Sequence, residues 1–458
     1  MTATETTAPA NPHPQRWRIL GLVGIAQLML ILDVTVVAIA LPHMGSDLGM
    51  EREALTWVVS GYTLTFGGLL LLGGRAADLF GARRLVLAGL LLFSAASLTA
   101  GLATSGPMLL GGRIGQGLAA AILSPAALSL VVTIFDGDER NKALGIWSAL
   151  GGGGAALGVL LGGLLTAGPG WPWVFFINVP VGIILLLALR MQLPPQAPTG
   201  ATARLDVPGA LLVTAATGAL IYALIRAGDV GWGSPTILLL VAAVVLYAGF
   251  FVRQRLAASP LMDVRLLLRR PVAVGALLIL VATALMITVF FLGTFYLQNY
   301  QGYGALRTGL LFLPVAITTM LGANAAGRAI GRTGARTLGV LGLLVAAAGM
   351  AVPAFVDGTL ALVVGVAVAA AGTGVLFVVA SAVALGQVAP HEAGLASGIV
   401  STFHEFGASL GAAVVSSMAA ASIAGTSTTG FSRGFTTGAV IAVVAAVLTF
   451  VLTPRPAR

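Results

Sequence analysis

GRAADLFGAR at residues 74–83 and GRAIGRTGAR at residues 327–336 match without gaps at six positions of ten, 253 residues apart. Each segment closes the second apolar stretch of a longer run, so the match points to a duplicated unit and not to two similar loops. The same offset carries the stretch ILGLVGIAQLMLILDVTVVAIALP (19–42) onto the apolar stretch that begins near residue 272. Two parallel units of six segments each follow, and the chain between them is an insertion.

The segments are membrane spans. Of 458 residues 58% are apolar and 9% charged, whereas soluble proteins carry about a quarter charged residues. Apolar runs of about twenty residues recur along the chain, the length a helix needs to cross ~30 Å of hydrocarbon. The short alternating segments of a membrane barrel are absent. The 61 glycines suit close helix packing in lipid. Fourteen spans are expected, near 19–41, 54–73, 85–104, 107–134, 143–167, 173–193, 208–227, 236–252, 273–298, 306–327, 336–356, 359–386, 395–422 and 435–452. The chain is therefore read as an all-α polytopic membrane protein. Its parts are a cytoplasmic tail (1–18), a six-helix bundle (19–193), a Pro-rich linker (194–207), an inserted two-helix hairpin (208–252), a basic linker (253–271) and a second six-helix bundle (272–453).

Charge sets the orientation. With the N-terminus inside, 19 of the 24 basic residues fall on the cytoplasmic side. Arg52, Arg226, Arg307 and Arg433 lie outside and Arg113 lies within a span, a strong positive-inside bias. Fourteen spans return the C-terminus to the cytoplasm. The net charge of +9 thus reports topology, and no nucleic-acid partner is expected. Arginine fills 23 of the 24 basic positions, with Lys142 the exception, which fits a GC-rich bacterial source and its cytoplasmic membrane. With no cysteine there is neither disulfide nor thiolate chemistry.

Of fifteen carboxylates, Asp33 and Glu405 alone fall inside long apolar stretches. A charge near the bilayer centre costs ~3 kcal/mol on insertion scales, so such residues usually have a task. Burial favours the neutral carboxyl, which makes them natural proton carriers. Arg113 enters the fourth span at a depth comparable to that of Asp33 and is the partner expected for it. Glu405 lies near the middle of the thirteenth span, as a second proton or cation site or a packed neutral acid. His404 precedes it, but consecutive helical residues point ~100° apart, so His404 is expected to pack without forming a relay. Polar and aromatic residues within spans, Gln27, Tyr62, Gln116, Tyr296, Gln298 and Asn324, are candidates to line a substrate cavity.

Four stretches make the chain similar to the fourteen-span drug:proton antiporters of the major facilitator superfamily. GRAADLFGAR with Arg84 resembles their loop signature after the second span, and LDVTVVAIALP (32–42) their first-span signature. RIGQGLAAA (113–121) resembles the fourth-span arginine motif, and GAALGVLLGG (154–163) the antiporter motif of the fifth span. A weaker match runs from Trp171 to Gly182. The chain departs from the pattern at Val159, which stands where the family has proline, and at Leu79, Ala38 and Pro172.

The resemblance implies a major facilitator fold, two six-helix bundles plus two inserted helices, fourteen transmembrane helices in all. It also implies a conformational switch at Gly74, Asp78, Gly81, Arg83 and Arg84, with Asp78 paired to Arg83 or Arg140, and an antiporter glycine set at Gly154, Gly158, Gly162 and Gly163. The expected function is export of amphipathic drugs, antibiotics or toxic metabolites by exchange for protons. The expected carrier is a monomer in the lipid bilayer, with the proton as coupling ion and no cofactor or metal. A proton-coupled importer of a small nutrient is the alternative on the same fold. A non-transporting sensor or a membrane enzyme is disfavoured, since no catalytic constellation is visible and the Gly151–Gly154 run lacks the lysine of a phosphate loop.

Overall fold

The computed structural model describes residues 15–193, 205–386, 388, 392–423 and 429–453. Most of the expected tail and most of the 194–207 linker lie outside these. Fourteen long helices follow one another: α1 (Arg16–Leu48), α2 (Arg52–Phe80), α3 (Ala82–Gly101), α4 (Gly106–Ile134), α5 (Gly137–Ala167), α6 (Trp173–Gln192), α7 (Val207–Val230), α8 (Ser234–Leu256), α9 (Arg270–Tyr300), α10 (Ala305–Thr333), α11 (Ala335–Phe355), α12 (Thr359–Leu385), α13 (Ala393–Met418) and α14 (Thr429–Leu452). Among the described residues thirteen are long and apolar enough to cross a bilayer, and α5, apolar over Leu157–Ala167, takes the remaining place in the order. The chain is an all-helical, multi-pass membrane protein.

Two of these helices are broken. In α6 the regular helix stops at Phe176 and restarts at Asn178, because Pro180 has no N–H to offer the carbonyl four residues back. Pro314 acts in the same way on α10, which is interrupted at Phe312. The break in α6 sets Asn178 at the head of a new helical segment, a placement that matters below.

The duplication is visible in the packing. In the first half α1 lies on α5, α2 on α4, and α3 on α4 and α6. In the second, α9 lies on α13, α10 on α12, and α11 on α12 and α14, the same pairs eight helices later. The repeated segments share one backbone turn. Gly81 turns the chain from α2 into α3 at φ 90°, ψ 131°, and Gly334 turns it from α10 into α11 at φ 80°, ψ 148°. These positive φ values are open to glycine and strained for other residues. The inserted pair α7–α8 packs on itself, and α7 lies against both α2 and α13.

Long helices in lipid gain little from hydrophobic contrast, so the halves meet through small and hydroxylated residues. Along α2 and α13, Thr63 Oγ1 and Ser409 Oγ lie 2.6 Å apart, as do Thr56 Oγ1 and Ser416 Oγ. Arg52 closes this seam by donating to Ser416 Oγ at 2.7 Å and to the Ile225 carbonyl of α7 at 3.2 Å. Counted in the sequence as an external loop charge, Arg52 is instead a buried member of α2. A second crossing joins α5 to α10, where Gly163 and Gly309 let the backbones touch. Gln298 Nε2 of α9 adds a bond to the Ile39 carbonyl of α1 at 2.9 Å. These contacts lie away from the face that carries most of the arginines, here termed the basic face.

Candidate functional site

Asp33 and Arg113 meet inside the first half. Arg113 Nη1 donates to Asp33 Oδ2, and the two side chains are 1% and 0% exposed. The guanidinium has further attachments: Nε donates to the Val58 carbonyl of α2 at 2.8 Å, Nη1 donates to Gln116 Oε1 at 2.9 Å, and its carbon sits 4.4 Å from the centre of the Tyr62 ring. The cation is thus held by hydrogen bonds and an aromatic face as well as by its counter-ion.

The carboxylate is held on its other side. Asp33 Oδ1 accepts from Gln116 Nε2 at 2.8 Å and from Asn178 Nδ2 at 3.2 Å. Gln116 Nε2 also donates to Ser97 Oγ of α3 at 2.8 Å. Five helices, α1, α2, α3, α4 and α6, therefore supply one buried polar cluster around a single ion pair. The break in α6 brings in Asn178. Polar residues are common in spans as simple helix glue, so neither Ser97 nor Asn178 stood out in the sequence. The Trp171–Gly182 stretch was the signal that could have found Asn178.

The cavity candidates are distributed over several places. Tyr62 is fully buried under Arg113, and Gln116 belongs to the ion-pair cluster. Tyr296 accepts from the Gly358 N–H at 3.1 Å and lines a small pocket with Phe431 and Phe435, and Gln298 bridges to α1. Asn324 is exposed, and Gln27 is half-buried with its Oε1 lacking a hydrogen-bond partner. A cleft of about 150 Å³ opens between α1, α5 and α6, lined by Leu28, Leu32, Leu161 and Ile177 and reaching Asp33 and Asn178.

The antiporter glycines divide between two neighbours. Gly154, Gly158 and Gly162 seat α5 on α1 at Ile31, Thr35 and Val36, on both sides of Asp33 in the sequence. Gly163 faces the other half, where an added methyl would stand 2.8 Å from the Ala305 carbonyl oxygen. Val159 keeps α5 regular where proline would have bent it, and its carbonyl oxygen meets Gly309.

The loop after α2 departs from the expected pairing. The guanidinium set beside Asp78 is that of Arg75, one helical turn back, at 4.0 Å and exposed, a geometry worth under about 1 kcal/mol. Arg83 donates instead to the carbonyls of Leu193 and Arg190, tying α3 to the end of α6. Arg140 is bound to Asp136 and the Phe135 carbonyl. Arg84 is exposed, Gly74 lies against Pro125 of α4, and Gly81 forms the turn described above.

In the second half Glu405 is buried and faces α2, where a methyl added at Gly67 would stand 2.6 Å from its Cβ. His404, expected as a packing residue, finds a hydrogen-bond partner here. His404 Nδ1 lies 3.1 Å from Glu405 Oε1, because both side chains are long enough to bend across the ~100° between neighbouring positions. The imidazole is also 5.9 Å from the Phe377 ring of α12.

Comparison with known proteins places this geometry in a wider set. The family model described as Major Facilitator Superfamily matches residues 23–412. The chain is 39% identical to the puromycin resistance protein pur8 of Streptomyces alboniger over 92% of its own length and 85% of that protein's. It is 36% identical to the cephamycin export protein CmcT of Amycolatopsis lactamdurans, covering 94% and 87% of the two chains. With the multidrug resistance protein Stp of Mycobacterium tuberculosis it shares 34% identity over 90% and 78%. Among solved structures, a bacterial homologue of the human lysosomal transporter Spinster, in an inward-facing and occupied conformation, aligns with a TM-score of 0.68. That alignment has 15% identity and covers 96% of this chain and 97% of the other.

Proposed function

Because this chain belongs to the major facilitator superfamily, a family of membrane transporters, we propose that it exports amphipathic drugs, antibiotics or toxic metabolites in exchange for protons. One observation carries the proposal: an ionisable carboxylate, Asp33, is sealed in the membrane against Arg113 within a cluster whose other members can hold the arginine without it. A proton reaching Asp33 neutralises it and ends the ion pair. Arg113 still keeps the Val58 carbonyl, Gln116 Oε1 and the Tyr62 ring. The pair can therefore open without leaving a bare buried cation, which a coupling site requires and a purely structural bridge does not.

The positive-inside rule puts the basic face and both termini in the cytoplasm of a bacterial cell. The α5–α10 crossing and the Arg52–Ser416 end of the α2–α13 seam then lie toward the outer side. In the cycle, outward-facing carriers take a proton at Asp33 and expel substrate, then turn inward, lose the proton and reload. Each proton entering down 100 mV supplies ~2.3 kcal/mol. At ~1.4 kcal/mol per tenfold, that sustains roughly a fifty-fold gradient. The cleft between α1, α5 and α6 supports an amphipathic substrate, since its apolar walls end at Asp33 and Asn178, and a space of its size accepts about one aromatic ring. The names of the three relatives favour export over import of a nutrient.

The test is efflux from proteoliposomes with an imposed pH gradient, using puromycin and a fluorescent amphipathic cation. Asp33→Asn should abolish gradient-driven efflux while drug binding and helical content persist. Full efflux by that variant would remove Asp33 from the coupling role. Reversing the gradient separates exporter from importer, since a symporter accumulates the drug where the antiporter expels it.

A further inference from the structure

We infer that His404 is the group through which Glu405 exchanges its proton with the space between the halves, so that the pair forms a second proton site in the half that lacks Asp33. This rests on the proton-coupled reading above and extends it to the second half. The geometry is one of a shielded acid and an accessible base. The Glu405 side chain is 10% exposed and turned toward α2, whereas the His404 side chain is 42% exposed and lies 3.1 Å from it. Glu405 sits between the two moving halves, with Gly67 of α2 against its Cβ, so its charge is felt across the seam.

The surroundings leave His404 as the evident donor. From α2, Tyr62 is the titratable group on this side, and it is buried under Arg113. From α12 comes Phe377, which does not titrate. Along α9 no ionisable residue occurs between Arg270 and Tyr296. On α7, Tyr222, Arg226 and Asp229 lie toward the end where Gly228 meets Ser417, twelve residues or ~18 Å along α13 from Glu405. Arg433 opens α14, near the end where Gly430 meets Ser422. Arg52 of α2 is engaged at Ser416, eleven residues from Glu405.

The step is a simple proton transfer. The Nδ1–H bond of the imidazolium breaks, an O–H bond forms on Glu405 Oε1, and the neutral imidazole takes up a proton from hydronium or buffer acid, which is left as water or its conjugate base. The reverse sequence unloads the acid. The imidazole itself needs no new contact, since Phe377 already limits its swing. Two proton sites in unlike surroundings, one reached through a histidine and one sealed by an arginine, give the two halves separate loading steps.

Time-resolved infrared spectroscopy after a pH jump tests this on the full chain in lipid, with no substrate needed. The protonated-carboxyl C=O band that disappears in Glu405→Gln belongs to Glu405, and it should persist in Asp33→Asn. His404→Gln should slow the rise of that band on the order of a hundredfold while leaving its final amplitude intact. Free imidazole in the buffer should restore the rate. An unchanged rise in His404→Gln overturns the role of His404, and a spectrum with no titrating band removed by Glu405→Gln overturns the second site. Neither outcome bears on Asp33, whose test is the efflux measurement.

Discussion

Arg113 shows how much one buried side chain can demand of its neighbours. Its guanidinium takes up Asp33, Gln116 and the Val58 carbonyl and lies on the Tyr62 ring. Removing the arginine alone strands a carboxylate in a dry interior, so Arg113→Leu should destabilise the protein by about 3–5 kcal/mol. Adding Asp33→Asn to the same chain should recover most of that loss, because the stranded charge, and not the lost contact, is the main cost. Thermal unfolding of the two single variants and the double variant in detergent measures this, and additive losses would show that the residues do not act as a pair. Asp33 and Arg113 were legible in the sequence because charges stand out in apolar runs and their depths agree. Gln116, Ser97 and Asn178 were not legible as one cluster. Which way each helix turns its polar residues is decided by packing, and α1, with apolar residues on all sides, carries no periodic signal of its facing. The bond between His404 and Glu405 was not legible for a related reason: the angle between neighbouring helical positions governs where Cβ points, and flexible chains beyond Cβ can still meet.

At the level of the helix, α5 is a spacer with two working faces. Three of its glycines bring α1 close, and a fourth brings α10 of the other half close. The antiporter motif could be read from the sequence as a run of small residues, but its division between a neighbour within the half and a partner across the seam could not, since both follow from how α5 is rotated. The division separates two kinds of damage. Gly163→Val should push α10 away and cost about 1–3 kcal/mol of overpacking at the crossing between halves. Gly158→Val should strike Thr35, shift α1 and disturb Asp33 directly. Gly111→Val, where an added Cβ meets nothing within 4 Å, is the neutral reference. Paired assays of thermal stability and drug-driven proton flux should therefore give loss of coupling with little change in Asp33 protonation for Gly163→Val, and altered proton dependence for Gly158→Val. Indistinguishable profiles for the two variants would reject the division.

For the whole molecule, the question is how two bundles with matching internal packing part and rejoin. The repeat, the fourteen spans and the inserted hairpin were legible because each is a property of spacing and length, which a bilayer imposes strictly. The chemistry of the seam was not legible, because Thr56, Thr63, Ser409 and Ser416 are unremarkable within their own helices and gain meaning only when α2 lies on α13. A seam of hydroxyls suits repeated opening. Each hydroxyl exchanges a protein partner for water, so the net cost per bond is about 1 kcal/mol, whereas an apolar seam would expose its whole area on every cycle. The chain contains no cysteine, which allows a direct test. Thr63 Oγ1 and Ser409 Oγ are 2.6 Å apart, so cysteines at both positions stand within reach of disulfide geometry. Thr63→Cys with Ser409→Cys should oxidise readily and join the halves across 346 residues of sequence. Efflux should then stop and return on reduction, while drug binding from the basic face survives. Each single cysteine variant should remain active under the same oxidant. Efflux that continues in the fully cross-linked protein would mean that α2 and α13 stay together throughout the cycle, and the movement would then have to be sought at the α5–α10 crossing instead.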